Sequence, residues 1–211
     1  QKYSLLGAYC DIFTSSMKNK WDKLIYLDLF AGAGYAKIKG TNRILKSSAL
    51  IAMSVSHKFD KYIFCEEDKE KLNTLGVRVN REFPEADVEY ILGDSNQNID
   101  EIIAKIPKHN SQESVLRFCF VDPFSLNLDF ETIEKLSKVG KIDFLILLAL
   151  LMDANRNFIY YIEENSMKIE RFIKNGRWRE PFQKADIHSS DFIKFLSDEY
   201  DQNMRNLGYV E

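Results

Sequence analysis

The chain has 211 residues, 45% hydrophobic and 29% charged, with Lys+Arg 29 against Asp+Glu 32 for a net charge of -3. These values exclude a disordered or fibrous chain, and they exclude a global basic field that would draw nucleic acid to the whole surface. A chain of this length buries roughly 70% of its unfolded surface, so its core needs no disulfide or metal. The three cysteines, Cys10, Cys65 and Cys119, lie far apart. That fits neither a disulfide framework nor a zinc spacing, and suits a reducing compartment. No apolar run reaches the roughly 20 residues of a membrane span. The longest, Phe144 to Met152, reads as a core strand running into its loop. Residue 1 is Gln, with no signal-peptide pattern after it, so the natural start is expected to precede it.

Strand and helix patterns then alternate, the signature of an α/β fold with a largely parallel sheet. Tyr3 to Met17 carries Leu5, Leu6, Tyr9, Ile12 and Phe13 near a helical stripe. Leu24 to Leu29 is a short apolar run feeding a Gly-rich turn and predicts the first strand. A polar stretch, Lys37 to Lys46, separates it from a small-residue helix near Ser48 to His57. Lys61 to Cys65 is the second expected strand, Asp68 to Phe83 a polar-faced helix broken by Pro84, and Val88 to Leu92 the third strand. A helix from Ile99 to Ile106 ends at Pro107, and Val115 to Val121 is a nearly all-apolar fourth strand, buried on both faces. A helix from Phe130 to Val139 leads to a fifth strand, Ile142 to Leu150. From Asp153 onward the pattern is helical and polar: Phe158 to Ile173, a loop around Gly176 to Pro181, then Phe192 to Leu207. The expected organisation is one domain, with residues 1–152 as a Rossmann-like core behind an N-terminal helix and 153–211 as its helical extension.

The sharpest motif is Asp28-Leu29-Phe30-Ala31-Gly32-Ala33-Gly34, at the end of the first strand. Glycines there let the backbone turn tightly and approach a ligand with no Cβ in the way. In open parallel sheets ligands sit at the carboxyl ends of the strands, near a topological switch point. A dinucleotide site would want a third glycine three residues after the second, and that position is Lys37. Asp28 would also repel a pyrophosphate. A carboxylate suits a ligand with ammonium and sulfonium charges, which S-adenosylmethionine has; the alternative is a plain strand-to-helix turn. The second strand ends in Glu66-Glu67, and Glu66 is placed to accept the hydroxyls of a ribose, while Glu67 and Asp68 fit a solvated helix start. The third ends in Gly93-Asp94-Ser95, where Asp94 either meets an adenine amine or caps the next helix. The fourth ends in Val121-Asp122-Pro123-Phe124. There Asp122 and a carbonyl left free by Pro123 would hold an exocyclic amine against a methyl group, and Phe124 would stack on a planar acceptor. The alternative is an Asp-Pro turn.

At these residues the sequence resembles class I S-adenosylmethionine-dependent methyltransferases and, more narrowly, the three-Cys-motif partner protein family. That family's Tyr-Ile-Asp-x-Phe-Ala-Gly-Pro-Gly segment is similar to Tyr26-Leu27-Asp28-Leu29-Phe30-Ala31-Gly32-Ala33-Gly34, with Ala33 for the proline. Its Asp-Pro-Tyr/Phe-Gly stretch resembles Asp122-Pro123-Phe124-Ser125, with Ser125 for the glycine. Its Gly-Ser-Pro segment is replaced by Ser47-Ser48-Ala49, while Glu131-Thr132-Ile133, Ile142-Asp143-Phe144 and Asn155-Arg156 match later stretches. The resemblance implies a doubly wound, mostly parallel sheet of the class I methyltransferase type. It implies S-adenosylmethionine held by Asp28, Phe30, Ala31, Gly32, Gly34, Glu66, Asp94 and Ser95, and Asp122, Pro123 and Phe124 as catalytic residues. It further implies a cytoplasmic prokaryotic protein and a partner carrying a three-cysteine motif. Folds of this class finish with an antiparallel hairpin after the fifth strand. Here only Gly208 to Glu211 would begin a strand, so the hairpin strands are expected to be absent or truncated, with the natural chain continuing or another chain covering that edge.

His57, His109 and His188 are scattered, with no metal-ligand spacing, and no Gly-x-Ser-x-Gly or Walker pattern occurs. Two stretches are basic: Lys37, Lys39, Arg43 and Lys46 after the turn, and Lys168, Arg171, Lys174, Arg177, Arg179 and Lys184 around Trp178. Such patches offer a local nucleic-acid surface if the ring is free to stack a base, and a solvated helix face if Trp178 is buried. The function expected is methyl transfer to an acceptor such as a nucleic-acid amine. The competing reading is a non-catalytic cofactor- or partner-binding subunit of a phage-defence or nucleic-acid-modifying complex.

Overall fold

The computed structural model describes residues 2–38, 40–163, 166–182 and 188–209. The chain divides into two compact units, residues 1–121 with 139–146, and residues 122–138 with 147–211. In the first, α1 (Lys2–Met17) precedes β1 (Lys23–Asp28). A small antiparallel pair, β2 (Tyr35–Lys37) and β3 (Ile44–Lys46), follows, and then α2 (Ser48–Ser54). The chain continues through β4 (Lys61–Glu66), α3 (Lys69–Glu82), β5 (Val88–Leu92), α4 (Ile99–Lys105), β6 (Val115–Val121) and, later, β7 (Ile142–Ile146). The five long strands form one parallel sheet in the order β5-β4-β1-β6-β7. This is a Rossmann-like α/β architecture flanked by helices. The strand order steps outward from β1 in both directions, so the switch point lies between β1 and β6.

Register explains the core. Tyr62, Tyr26, Phe118 and Asp143 are direct neighbours in one row across the sheet, and Tyr90, Phe64, Asp28, Phe120 and Leu145 form the next row on the same face. Helix α1 lays Tyr9 and Phe13 on Phe118, with ring centroids 4.8 and 5.5 Å apart. Phe59 closes the cluster against Tyr26. All seven residues of β6 are buried, as its apolar run predicts, including Arg117. The Arg117 guanidinium donates to the carbonyls of Pro107 and Val115, and burial lowers its pKa. At the start of α3, Asp68 caps the helix by accepting from the Glu70 and Lys71 amides.

The second unit holds α5 (Phe130–Ser137), a π-helical turn (Leu150–Ala154), α6 (Phe158–Glu163), α7 (Lys168–Ile173), a short 3-10 turn (Glu180–Phe182) and α8 (Ser189–Asn206). Its core is aromatic: Trp178 packs on Phe192, Phe182 meets Phe192 edge to face, and Tyr200 packs between Phe130 and Phe172. Among the described residues no helix is long and apolar enough to cross a membrane.

Three elements differ from the sequence expectation. The polar stretch Lys37 to Lys46 takes part in a hairpin, in which Tyr35 pairs with Lys46, Ala36 with Leu45 and Lys37 with Ile44. The fifth strand stops at Ile146, and Leu150–Ala154 is a π turn. A continuous apolar run does not distinguish strand from helix, and the π turn carries Asp153 with its carboxylate buried. The single helix expected over Phe158 to Ile173 is two, α6 and α7, the second starting where Ser166 Oγ accepts the Lys168 amide. Among the described residues no strand follows β7. Of Gly208 to Glu211, the one stretch that could have begun a strand, Gly208 and Tyr209 are not in a strand, and Val210 and Glu211 lie outside the described residues.

Candidate functional site

Helices return the chain from one parallel strand to the next, so β1, β4 and β5 all end on the same rim of the sheet. The turn after β1 is fastened at several points. The Leu29 amide donates to the Phe120 carbonyl and the Ala31 amide to the Cys65 carbonyl, splicing the turn to the ends of β6 and β4. Gly32 and Gly34 have φ of +63° and +85°. A Cβ built on Gly32 meets nothing within 4 Å, whereas one on Gly34 comes within 3.0 Å of the Leu50 and Leu75 side chains. Gly34 therefore lets the turn close onto the core, and Gly32 faces open space. The Ser47 amide donates to the Gly34 carbonyl at 2.8 Å, and Arg78 Nη1 donates to the Ala33 carbonyl while its guanidinium lies over the Tyr35 ring.

The acids predicted from the strand ends are all on this rim, and each also organises local backbone. Asp28 is fully buried; its Oδ1 accepts from the Phe30 amide, and Oδ2 lies 3.4 Å from the Tyr26 hydroxyl. Its charge is felt nearby. Burial and then Asp28 push the Cys10 thiol up to about 12 and hold Cys119 well above the usual thiol range, and they raise the Tyr26 phenol in the same way. Glu66 accepts from the Gly32 amide through Oε2 at 2.8 Å and from the Asp68 amide through Oε1 at 3.1 Å, with Lys71 Nζ 3.8 Å from Oε1. Asp94 Oδ1 accepts from the Asn96 and Gln97 amides. The capping reading of Asp94 is thus realised one turn early, before α4, whose N-cap is Asn98. Ser95 is buried, and its hydroxyl has no hydrogen-bond partner in the structure; the same holds for Ser47 at the other flank of the glycine turn. Phe30 is half-buried and Ala31 buried.

Open space before Gly32, carboxylates at three strand ends and an unpartnered buried hydroxyl beside the third form a donor and acceptor set that fits a nucleoside carrying positive charge. In such a site Asp28 supplies negative potential, Glu66 and Asp94 supply acceptors, and Ser95 supplies a hydroxyl. Among the described residues no cluster of His, Cys, Asp or Glu is arranged to hold a metal ion.

Asp122, Pro123 and Phe124 open the second unit. Pro123 is buried, Asp122 half-buried, and Phe124 is 89% exposed. Immediately after them, the Leu126 amide donates to Asp153 Oδ2 at 2.8 Å and Lys168 Nζ lies 3.0 Å from Ser125 Oγ. The second basic stretch is not a stacking platform, since Trp178 is fully buried with the Arg179 guanidinium 4.3 Å from its ring centroid. Lys168 pairs with Asp153 and Lys174 with Glu134, while Lys46 of the first stretch pairs with Glu82. Lys39 and Lys184 lie outside the described residues. Sequence reasoning gave Ser47, Arg78 and Asp153 no role at these sites, and it took Lys168 only as part of a basic stretch. Arg78 sits on a polar helix face like any solvated cation, and only tertiary packing brings it to the turn.

No protein-family model matches the chain, and no curated protein matches it. Solved structures do. A candidate methyltransferase, yhhF, from Escherichia coli is 17% identical with a TM-score of 0.39, the match covering 64% of this chain and 63% of that one. A candidate methylase from Haemophilus influenzae is 20% identical with a TM-score of 0.41, covering 64% and 65%. A candidate S-adenosyl-L-methionine-dependent methyltransferase from Methanococcus maripaludis is 14% identical with a TM-score of 0.35, covering 93% and 77%. The chain thus spans a little under two thirds of the Escherichia coli and Haemophilus influenzae proteins.

Proposed function

We propose that this chain binds S-adenosylmethionine along the ends of β1, β4 and β5 and transfers its methyl group to an acceptor amine, with nucleic acid as the acceptor class. The observation that carries this reading is the set of three acids, Asp28, Glu66 and Asp94, around a turn whose Gly32 faces open space. The cofactor supplies an electrophilic methyl on a sulfonium, and the protein supplies position. In this reading Glu66 receives the ribose hydroxyls, Asp94 and Ser95 the adenine edge, and Gly32 to Gly34 the methionine part. Asp122, Pro123 and Phe124 would receive the acceptor amine, Asp122 as a hydrogen-bond acceptor and Phe124 as a stacking ring. The same reading includes a protein partner that carries a three-cysteine motif.

Calorimetric titration with S-adenosylmethionine, with NADH as control, tests the cofactor. Glu66→Ala should weaken S-adenosylmethionine binding by about 1–3 kcal/mol, the range for hydrogen bonds to a charged group. An unchanged affinity removes Glu66 from the ribose role, and preference for NADH overturns the proposal. A second reading, a cofactor-binding subunit without transfer, draws on the engagement of Glu66 and Asp94 by backbone amides, which makes them structural as well. Binding without transfer of labelled methyl to any nucleic acid would favour it.

A further inference from the structure

Within the second unit, one carboxylate gathers four donors from three stretches of chain. Asp153 is 6% exposed. Its Oδ2 accepts from the Leu126 amide at 2.8 Å and from Lys168 Nζ at 3.0 Å; its Oδ1 accepts from the Tyr161 hydroxyl at 2.9 Å and from Asn157 Nδ2 at 2.6 Å. Lys168 Nζ reaches on to Ser125 Oγ at 3.0 Å. The π turn at Leu150–Ala154 makes this possible. The Asn155 amide bonds back five residues to the Leu150 carbonyl, and the wide turn directs Asp153 inward.

The tethered loop is the one that carries Phe124. At 89% exposure Phe124 has no packing to fix its direction. Its direction comes from its flanks: buried Pro123 fixes φ on one side, and on the other Ser125 and Leu126 are bonded to the Asp153–Lys168 pair. We infer that Asp153 and Lys168 are positioning residues, which hold the 122–126 loop, and with it Phe124, in one orientation for the acceptor. This rests on the proposed acceptor role of Asp122 to Phe124, but the loop-holding itself can be tested without it. A buried acid bonded by two amide-type donors, a phenol and an ammonium serves to fix geometry and has no proton to give or take during transfer. Preorganisation of this kind is what a reaction governed by approach distance needs.

The test uses the full chain with 4-fluorophenylalanine at position 124, an exposed site. The variants are Asp153→Ala, Asp153→Asn, Lys168→Met and Lys168→Arg. In the wild type the fluorine resonance should differ from that of the urea-unfolded chain. In Asp153→Ala and Lys168→Met it should move toward the unfolded position, and in Asp153→Ala the Leu126 amide, its acceptor gone, should exchange roughly 10- to 100-fold faster, as on loss of a hydrogen bond to a charged group. Lys168→Arg, which keeps charge and donors, should retain the wild-type resonance, a rescue that general destabilisation would not give. S-adenosylmethionine affinity should stay within about twofold. Labelled-methyl transfer to total RNA and heat-denatured DNA should fall roughly 100-fold in Lys168→Met, the order expected for a misplaced group. Should Asp153→Ala not fold, the near-isosteric Asp153→Asn and Lys168→Met variants carry the test. A wild-type fluorine shift in folded Lys168→Met, or wild-type Leu126 protection in folded Asp153→Ala, would overturn the inference. Failure of the wild type to bind S-adenosylmethionine would overturn the functional reading instead, while the fluorine and exchange results still decide the positioning.

Discussion

The two glycines of the turn should fail in opposite ways when each is replaced by alanine. At Gly32, φ is +63°, the left-handed region, and the new Cβ meets nothing within 4 Å. The stability cost is then the backbone term alone, about 1–2 kcal/mol for an L-residue in that conformation. At Gly34, φ is +85°, and the Cβ would lie 3.0 Å from Leu50 Cδ1 and Leu75 Cδ1. Both leucines have 0% exposure, so neither side chain has room to withdraw. Overpacking of this kind adds about 1–3 kcal/mol, for a total of about 2–5 kcal/mol. Gly34→Ala should therefore be the less stable variant in urea titration. Gly32→Ala should remain folded yet bind S-adenosylmethionine more weakly, because its methyl projects into the space assigned to the ligand. Equal stability of the two variants would refute the geometry of the turn. Wild-type affinity in Gly32→Ala would refute the placement of the cofactor against it.

The Phe124→Ala variant should change stability by no more than about 0.5 kcal/mol, as for a surface position, while abolishing methyl transfer and sparing cofactor affinity; loss of affinity as well would make the loop a support for the cofactor. Cys10, Cys65 and Cys119 are buried, with burial as the first cause of pKa values raised to about 12 at Cys10 and Cys65 and well above the usual value at Cys119. Ellman's reagent at pH 8 should find none of the three reactive until denaturant is added, and rapid labelling of the native protein would contradict this packing. At Asp153 burial raises the carboxyl pKa, but bonds from Leu126, Lys168, Tyr161 and Asn157 outweigh it and leave the pKa lowered. Its folded value lies below the unfolded value of about 3.9, so its contribution is complete above roughly pH 5 and is lost as pH falls through the folded value. Asp153→Asn should flatten the acid limb of a stability-against-pH curve, and an unaltered limb would remove Asp153 from it.

Four of the parallel strands, β1, β4, β5 and β6, were legible because each is a short, largely apolar run closed by glycine or an acid, and the all-buried β6 reads as a central strand from its composition alone. The hairpin β2–β3 was not, because Lys37, Arg43 and Lys46 mask two pairs of apolar residues too short to register as a period. The end of β7 was hidden for the opposite reason. From Phe144 to Met152 every residue is apolar, so nothing in the pattern marks where the ladder stops and the π turn begins. The signal for that change is the buried acid Asp153; Asn157 and Tyr161 bond it from four and eight residues on, but Leu126 lies 27 residues before it and Lys168 15 after. Long-range pairing of this sort leaves no local trace.

For Asp94, capping and ligand binding were weighed as rivals, and in the structure both Glu66 and Asp94 hold backbone amides. Glu66 bonds the Gly32 amide across 34 positions of sequence, and Asp94 bonds amides two and three residues ahead. A carboxylate that already holds the turn is fixed in direction by it, and a fixed acceptor loses less side-chain entropy when a hydroxyl or amine arrives. The same geometry sets a cost, since a ribose hydroxyl approaching Glu66 Oε2 meets an oxygen already shared with an amide at 2.8 Å. Two acceptor sites on one carboxylate oxygen can accommodate both donors. Glu66→Gln keeps one such oxygen and removes the charge. If Glu66 serves only the turn, this variant should retain most of its stability and all of its cofactor affinity. If it serves the cofactor too, affinity should fall while the turn stays closed, which hydrogen exchange at the Gly32 amide would report.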